Sequence, residues 1–433
     1  MEILLDNLNL TGRLIFCGLF LGLSACFLLW IKAVQNSAPA HKKLLIFLLI
    51  VVAIAARYWV YVAVPASDDV NRYLWEGRLV LAGESPYEVV ADDPSRAPYQ
   101  DEIWQGMNHR DVTTIYPPLA QYYFAAAAWI WDDLRVFKLL AGLFEGLIFL
   151  LLWRWSRLQK KPKLRWSARW SVLAIYALNP CILLSFMGEG HYDYLFVLSM
   201  VAMAYAWQRT STRPWAWVAL ACAIQIKLVA VFFLPWLGLW VLTTWIKAFN
   251  KKQWLKEWWW QPALAISLFF ILWLPYLQDV TTWWEATQYF GKHFHGNSGL
   301  HVLLVHSGID PQLANAWCVK IFMALVMLIS FTSKRIEHLM FMVLAALLMT
   351  TPLLTYWYLS WIVVFIAMLG IRKTWPLWLW TGVGVVYYQA YIERSILGIW
   401  QHPVWTLFLQ WSLILVGFLI VSILAILKGK NHR

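Results

Sequence analysis

An acidic pair, Asp68 and Asp69, directly follows an apolar stretch that ends near Val64. A carboxylate held at a membrane surface can accept the proton of a hydroxyl group and so act as a general base. The pair lies near the start of the longest polar segment of the chain, roughly residues 65 to 115, and most of the remaining sequence is apolar. The sequence therefore predicts proton chemistry at one surface of a membrane.

The residues around the pair have the pattern of a capped helix. Ser67 can cap the first turn, where the helix dipole favours the negative charge of both acids. The spacing i, i+3, i+4 and i+7 predicts one polar face, formed by Asp69, Arg72, Tyr73 and Glu76. The apolar side chains expected on lipid or on the core are Val70, Leu74 and Leu81. A solvated surface helix without a catalytic role fits the same pattern.

Other polar side chains could bind a substrate or neutralise a leaving phosphate. A guanidinium binds phosphate more specifically than an ammonium does, because it can donate two parallel hydrogen bonds to the phosphate oxygens. The available cations are Arg72, Arg78, Arg110, Lys227, Lys292 and Arg394. The candidate substrate-binding residues are Arg72, Tyr73, Glu76, Arg78, His109, Arg110, Tyr116, His191, Asp193, Lys227, Lys292, His293 and His295.

Several of these candidates have a structural alternative. His293 and His295 could bind phosphate or be ordinary interfacial histidines, and His191 with Asp193 could form a site or a helix start. Lys227 lies inside an apolar hairpin, where a charged group indicates a function, although its ammonium could also reach the membrane surface.

No cofactor is predicted. A divalent metal could also neutralise a leaving phosphate, but the sequence has no strong cluster of ligands, so no metal is assigned. The five cysteines lie in or beside apolar segments without paired spacing, which predicts neither a disulfide framework nor a metal site. Glu145 is a further charged group within a predicted span.

The composition is that of a membrane protein. Hydrophobic residues make up 61% of the chain, charged residues 13%, and the mean hydropathy is +0.58. The net charge of +12 could suggest a nucleic-acid binder. However, the basic residues cluster in short links such as 160–165 and 247–256, which is the pattern of cytoplasmic connections. We therefore expect the lipid bilayer as a partner and no nucleic acid.

Charge also predicts the orientation. Lys32, Lys42 and Lys43 separate the first two apolar spans and should face the cytoplasm, which delivers the loop from Pro65 to the outer face. The N-terminus lacks the basic region of a cleavable signal peptide, so we expect the first span, about 13 to 35, to remain as an anchor. The sequence thus predicts a multi-pass protein of the bacterial inner (plasma) membrane with its chemistry on the periplasmic side.

We predict an all-α polytopic fold of about thirteen spans. Residues 115–131 would reach only about 22 Å as a helix, so they are predicted to be juxtamembrane or re-entrant, with 136–155 as the crossing. Residues 214–245 are predicted as a hairpin of two short helices that turns near Lys227. Further spans are predicted near 168–187, 191–207, 259–277, 312–331, 336–352, 354–370, 374–391 and 403–427. The basic tail from Lys428 to Arg433 should end inside.

Three segments resemble the first outer loop of GT-C glycosyltransferases, and in particular a bacterial mannosyltransferase-like branch whose relatives include polyprenol-phosphate-mannose-dependent enzymes. These segments are 69–78, 83–87 and 115–119. Shorter elements later in the chain are similar too, namely Gly190-His191-Tyr192-Asp193, Ile226-Lys227-Leu228, Thr351-Pro352 and Trp357-Tyr358-Leu359.

The resemblance implies an inverting transfer of a hexose, taken as mannose by association, from a polyprenyl-phosphate donor to a glycolipid or glycan acceptor. The general base falls on Asp69 or on its neighbour Asp68, and the choice stays open. We expect a single integral membrane domain over 1–433, with residues 65–131 as the outer catalytic loop. The short helices near 116–131 and 214–245 would leave a groove for the polyprenyl tail.

Two other functions fit a membrane protein of this kind. A transporter or flippase of lipid-linked glycans predicts charges spread through the spans and an internal repeat, and this sequence has few such charges and no obvious repeat. A non-catalytic envelope-assembly protein predicts no dependence on either acid. The concentration of polar residues in one outer loop favours the transferase.

Overall fold

The regular structure of the chain is helical. The computed structural model describes residues 10–158 and 165–430, and within these ranges every regular element is a helix. Across the same ranges, β-pairing is limited to an isolated bridge between Gly296 and Leu353. The predicted all-α class is confirmed. The predicted basic link at 159–164 and the end of the tail, 431–433, lie outside the described residues.

The first part of the chain forms two long helices, then residues 65–131, called the outer segment after their predicted position, and then a second group of helices. The two long helices are α1 (Leu10–Ala33) and α2 (Pro39–Ala63). The outer segment contains α3 (Asp68–Leu81), a 3₁₀ turn at Pro94–Tyr99, α4 (Glu102–Gln105) and α5 (Pro118–Ile130). The second group is α6 (Arg135–Leu158), α7 (Arg165–Ala177), α8 (Pro180–Ile182), the π-helical segment Leu183–Gly188 and α9 (Asp193–Ala206).

The second part of the chain alternates between helices and short breaks. Its first helices are α10 (Arg213–Ile226), α11 (Leu234–Lys247), α12 (Lys251–Trp258), α13 (Trp260–Trp273), α14 (Val280–His293), α15 (Gly299–His306) and α16 (Pro311–Thr332). The last are α17 (Ile336–Thr350), α18 (Ser360–Leu369), α19 (Ile371–Val383), α20 (Gln389–Leu397) and α21 (Val404–Lys430). The 3₁₀ segments between them are Leu228–Phe233, Leu274–Asp279, Tyr356–Leu359 and Gly384–Tyr388.

Several helices are long and apolar enough to cross a membrane. In the described ranges there are seven, or eight if the pair Trp166–Ala177 and Pro180–Gly188, bent by 45°, counts as one span. Shorter apolar helices lie at Asp193–Ala206, Ile336–Thr350 and Tyr356–Leu369, where further spans are predicted. The protein is therefore a membrane protein, and the count of about thirteen spans stays a prediction.

The predicted short helices are present in part: the second half of the predicted 214–245 hairpin, Leu228–Lys247, is 20 residues long and apolar enough to cross a membrane. The segment expected to be too short to cross forms α5, whose 13 residues span about 20 Å. The predicted turn near Lys227 is also observed, because the backbone there is extended, with φ −142° and ψ 118°, and ends α10.

The outer helix α3 packs closely against α5. At Gly77 the two backbones approach so closely that a Cβ atom would lie 2.4 Å from the carbonyl oxygen of Phe124. One turn earlier, the ring of Tyr73 stacks on Phe124 with 4.7 Å between centroids. The contact fixes the helix that begins with the acidic pair onto the helical core.

A buried ion pair joins α2 to α6. Arg57 donates to both carboxylate oxygens of Glu145, over 3.1 and 2.8 Å, and its remaining nitrogen donates to the carbonyl of Ala177 over 3.0 Å. Glu145 is 1% exposed. The charge of Glu145 is therefore paired with Arg57, and the same arginine binds α7 through the carbonyl of Ala177.

Candidate active site

The acidic pair sits at the N-terminus of α3, as predicted. The Ser67 hydroxyl accepts a hydrogen bond from the backbone of Asp69 over 3.4 Å, and the backbone N–H of Ser67 donates to the carbonyl of Glu189 over 2.9 Å. The second bond ties the start of α3 to the Gly188–Gly190 turn. Two loops that are distant in sequence are thereby held side by side.

The two oxygens of Asp69 face different partners. Asn108 donates to Oδ1 over 2.8 Å, and Oδ2 lies 3.9 Å from Nδ1 of His191. The side chain is 19% exposed, so it remains open to a reactant. A carboxylate that is oriented by one donor and still partly accessible can accept a proton.

His191 is completely buried between aromatic and acidic groups. Its ring stacks on Trp357 with 3.9 Å between centroids. The hydroxyl of Tyr73 lies 3.5 Å from Nδ1, and Oε2 of Glu189 lies 3.5 Å from Nε2. The imidazole therefore stands between the carboxylates of Asp69 and Glu189 and can orient both.

Glu189 is held by three partners. Arg13 donates to Oε1 over 2.7 Å, the hydroxyl of Tyr388 donates to Oε2 over 2.5 Å, and His191 lies beside that second oxygen. Burial alone would raise the pKa of Glu189, but the charge of Arg13 and the contacts with His191 and Tyr388 outweigh it and lower the pKa to about 2. Glu189 is therefore ionised at neutral pH.

Asp68 has a different set of hydrogen-bond partners. Its Oδ1 is 3.4 Å from the hydroxyl of Tyr391 and 3.1 Å from the backbone nitrogen of Asp69. Burial, and then the negative charge of Asp69, raise the pKa of Asp68 above its ordinary value. Asp68 lines a cavity of about 300 Å³ that also contains Arg13 and Glu189.

Arg72 and Glu76 are buried inside the outer segment. Arg72 donates to Glu76 over 3.2 Å and to the carbonyls of Asn108 and Val112 over 2.9 and 3.4 Å. Glu76 also accepts from Gln121 over 2.7 Å. The predicted polar face of α3 is thus not solvated, and Arg72 instead holds the loop that presents Asn108 to Asp69.

Arg78 and Arg110 lie in surface ion pairs. Arg78 contacts Asp132 and Asp101 over 2.6 and 2.5 Å. Arg110 lies 3.4 Å from Asp92. The structure gives both guanidiniums carboxylate partners within the outer segment.

Tyr73 and Tyr116 belong to an aromatic cluster below the acids. The ring of Tyr116 makes edge contacts with Tyr73 and Tyr192, with 5.5 and 5.6 Å between centroids. Tyr192 also contacts Tyr73 edge-on at 5.0 Å. This cluster joins α3 to the turn that carries His191, so it fixes the distance between Asp69 and His191.

Asp193 and Lys227 are paired with each other. The Lys227 ammonium lies 3.1 Å from Asp193, which also accepts from Trp361 over 2.6 Å. The rings of Tyr192 and Tyr358 lie 4.9 and 5.1 Å from the ammonium. The charge of Lys227 is therefore balanced, and its side chain is 12% exposed.

The loop after α14 meets the loop that holds Asn108. His109, with a φ of 47°, contacts Phe294 at 4.8 Å between centroids. Burial, and then the charge of Arg72, lower the pKa of His109. His293 approaches the carbonyl of Tyr289 at 3.0 Å, His295 stacks on His301 at 4.7 Å, and Lys292 is exposed.

Three groups of this site are absent from the predicted set. They are Asn108, Glu189 and Arg13, which lie in separate parts of the sequence. The turn containing Glu189 is visible as a polar patch, which was the available signal, whereas nothing local marks Arg13 or Asn108. Among the described residues, no three His, Cys, Asp or Glu side chains are grouped so that they could hold a metal ion.

One comparison with known proteins identifies a family. A family model described as alpha-(1→6)-mannopyranosyltransferase, N-terminal domain, matches residues 5–243, which is more than half of the 433-residue chain. The matched segment contains both acids of α3, His191 and Lys227. A comparison with the curated proteins finds none that matches the chain.

Proposed function

The chain belongs to the alpha-(1→6)-mannopyranosyltransferase family, and we propose that Asp69 is the general base of its transfer reaction. As a member of this family the protein is a glycosyltransferase, and its apolar helices embed it in a membrane. The proposed reaction moves mannose from a polyprenyl-phosphate donor to a glycolipid or glycan acceptor, with inversion. The proposed location is the outer face of the bacterial inner membrane, supported by the lysines between the first two spans.

One observation carries the choice of base. Asp69 has one oxygen oriented by Asn108 at 2.8 Å, while the other lies 3.9 Å from His191 and the side chain stays 19% exposed. Asp68 instead has its Oδ1 taken up by the start of its own helix, where the backbone N–H of Asp69 and the hydroxyls of Ser67 and Tyr391 lie 3.1, 3.2 and 3.4 Å away. This difference supports Asp69 as the base and Asp68 as a neighbouring group.

The reaction needs no covalent enzyme intermediate. The acceptor oxygen forms a bond to the anomeric carbon while the bond from that carbon to the phosphate oxygen breaks. Asp69 takes the proton of the acceptor hydroxyl, and polyprenyl phosphate leaves. A positioned general base of this kind contributes about 10²- to 10⁴-fold to the rate. An α-linked product formed with inversion requires a donor whose sugar is β-linked.

The departing phosphate needs a nearby positive charge. Arg72, Arg78 and Arg110 are engaged by carboxylates or carbonyls of the outer segment, which leaves them less suited to this role. Lys227 is likewise paired, with Asp193 at 3.1 Å, so the exposed Lys292 at the end of α14 fits this role better. An ammonium acts on a phosphate as a point charge.

The test is a donor assay with purified protein in phospholipid nanodiscs. Polyprenyl phosphates that carry β-linked mannose, glucose or galactose are supplied singly, with methyl α-mannoside as the acceptor, and released polyprenyl phosphate is measured. We expect consumption of the mannosyl donor and a loss of about 10²-fold or more in Asp69→Asn, with donor binding retained. The matched control is Asp92→Asn, the same change at an exposed acid of the same loop, which should keep the wild-type rate.

Two results would contradict the proposal. The first is that wild-type protein consumes no donor, and the second is that Asp69→Asn turns over the donor as fast as Asp92→Asn does.

A further inference from the structure

We propose that the cavity beside Asp68 and an apolar groove between α1 and α2 together bind the acceptor as a lipid-linked sugar. The sugar would occupy the cavity, and its hydrocarbon chain would lie in the groove. The inference rests on the transferase function proposed above and adds the acceptor's binding site to it.

The cavity has the chemistry of a sugar site. Its volume is about 300 Å³, and its walls include two carboxylates, one guanidinium and two tyrosines, from Asp68, Glu189, Arg13, Tyr388 and Tyr391. Carboxylates accept hydrogen bonds from sugar hydroxyls, and the guanidinium donates to hydroxyl oxygens. Tyrosine rings add apolar faces with a polar end. These groups can bind the hydroxyls of a sugar, while Leu10, Pro65, Ala66 and Ile392 complete the lining with apolar surface.

The charge of the cavity favours the acceptor over the donor. Glu189 is ionised at neutral pH and already engages Arg13 at 2.7 Å, and Asp68 adds a second acid. A phosphate placed here would meet acidic groups that outnumber the single cation, and like charges at short distance repel. A neutral sugar avoids that repulsion, so the phosphate of the donor belongs elsewhere in the site.

The groove has the chemistry of a hydrocarbon site. It has a volume of about 600 Å³ and is lined only by glycine and apolar residues of α1 and α2. Its outer members remain exposed, with Ile15 at 66%, Leu19 at 63% and Trp59 at 45%. Since both helices are long and apolar enough to cross the membrane, the groove opens towards lipid.

The groove and the cavity are lined by neighbouring residues at the same ends of α1 and α2. Gly12 lines the groove, and its neighbour Arg13 lines the cavity. At the other wall, Trp59 in the groove is followed after the end of α2 by Pro65 in the cavity. A single ligand with a polar head and a long chain can occupy both. Its sugar would then contact Asp68, whose Cα lies about 3.8 Å from that of Asp69.

The test uses two alkyl mannosides as acceptors, methyl α-mannoside and tetradecyl α-mannoside, with the β-linked mannosyl donor in nanodiscs. Ala55→Trp and Val51→Trp place a large ring in the groove, at positions where the native side chains are exposed. Ile54→Trp adds the same ring on the lipid-facing side of α2 outside the groove and serves as the matched control. Extension of each mannoside and hydrolysis of the donor by water are measured together.

We expect both groove variants to raise the KM for tetradecyl α-mannoside about ten-fold, a steric cost of about 1.4 kcal/mol. The KM for methyl α-mannoside and the rate of donor hydrolysis should stay at wild-type values, as should every parameter of Ile54→Trp. Unchanged donor hydrolysis also shows that the groove variants are folded.

Four outcomes overturn the inference while leaving the transferase function standing. Donor hydrolysis without extension of either mannoside is the first, and a tetradecyl KM unaffected by the groove variants is the second. In the third, the groove variants weaken both acceptors equally. In the fourth, they raise the KM for the donor, which would place the donor chain in the groove. A wild-type protein that consumes no donor instead refutes the proposed function itself.

Discussion

Replacing Glu189 by glutamine should show how much the buried carboxylate contributes to the free energy of unfolding. The native carboxylate accepts from Arg13 over 2.7 Å and from Tyr388 over 2.5 Å, and lies 3.5 Å from His191. Glutamine keeps the shape of the side chain but removes the charge that all three partners face. The change also leaves the guanidinium of Arg13 in a poorly solvated place without its carboxylate.

The magnitude follows from the pKa of Glu189. That pKa is lowered from an ordinary value of 4.5 to about 2, and a difference of one pKa unit corresponds to about 1.4 kcal/mol. The ionised carboxylate therefore contributes about 3 kcal/mol to the free energy of unfolding at neutral pH. Because the pKa is lowered in the folded protein, this contribution is present above pH 4.5 and is lost as the pH falls towards 2.

The assay is the free energy of unfolding in bicelles, measured for wild type and Glu189→Gln over a range of pH. The difference between them should be about 3 kcal/mol near pH 7 and shrink to about half of that near pH 3. The control is Glu88→Gln, an exposed acid whose nearest cation is 3.8 Å away, which should change the stability by less than about 1 kcal/mol. A difference for Glu189→Gln that is small, or that does not vary with pH, would refute the reasoning.

Two further predictions concern the helical core. Arg57→Met or Glu145→Met alone should lower the free energy of unfolding by about 3 to 5 kcal/mol, because each leaves a buried charge unpaired. The double variant should be more stable than either single variant. Equilibrium unfolding of the three variants checks this prediction. Gly77→Ala should lower the stability by about 1 to 3 kcal/mol and reduce transferase activity, since its methyl group would push α3 from α5. Gly146→Ala, where no atom lies within 4 Å, should be neutral or slightly stabilising in the same measurements.

Local patterns in the sequence predict the start of the site well. The Ser67 cap, the helix that begins with the acids, and the short helix after Tyr116 all follow from interactions within a few residues. The break at Lys227 is likewise predicted, because an ionisable group and a short apolar length both oppose a straight crossing. Each of these features depends on neighbours that are adjacent in the chain.

The surroundings of the acids depend on distant neighbours instead. Arg13 and Glu189 are 176 residues apart, and Asn108 reaches Asp69 across 39 residues. A hydropathy pattern carries no information about which helix lies beside which, so these pairings could not be predicted. The role of Arg72 could not be predicted for the same reason. In a sequence, an arginine that holds a loop cannot be distinguished from an arginine that binds phosphate.

The ion pair between α2 and α6 has a consequence for how the protein is made. Arg57 is synthesised 88 residues before Glu145, so at about 5 to 20 residues per second it waits roughly 4 to 18 s for its partner. An unpaired arginine opposes insertion by about 2.5 to 3.5 kcal/mol at the centre of a helix, and by less at Arg57, which lies in the last two turns of α2. The apolar residues of α2, whose most apolar stretch has a mean hydropathy of 2.3, must therefore hold the helix in the translocon or the bilayer until α6 emerges. Substitutions that make α2 more polar should therefore reduce the amount of protein inserted into the membrane before they change its turnover.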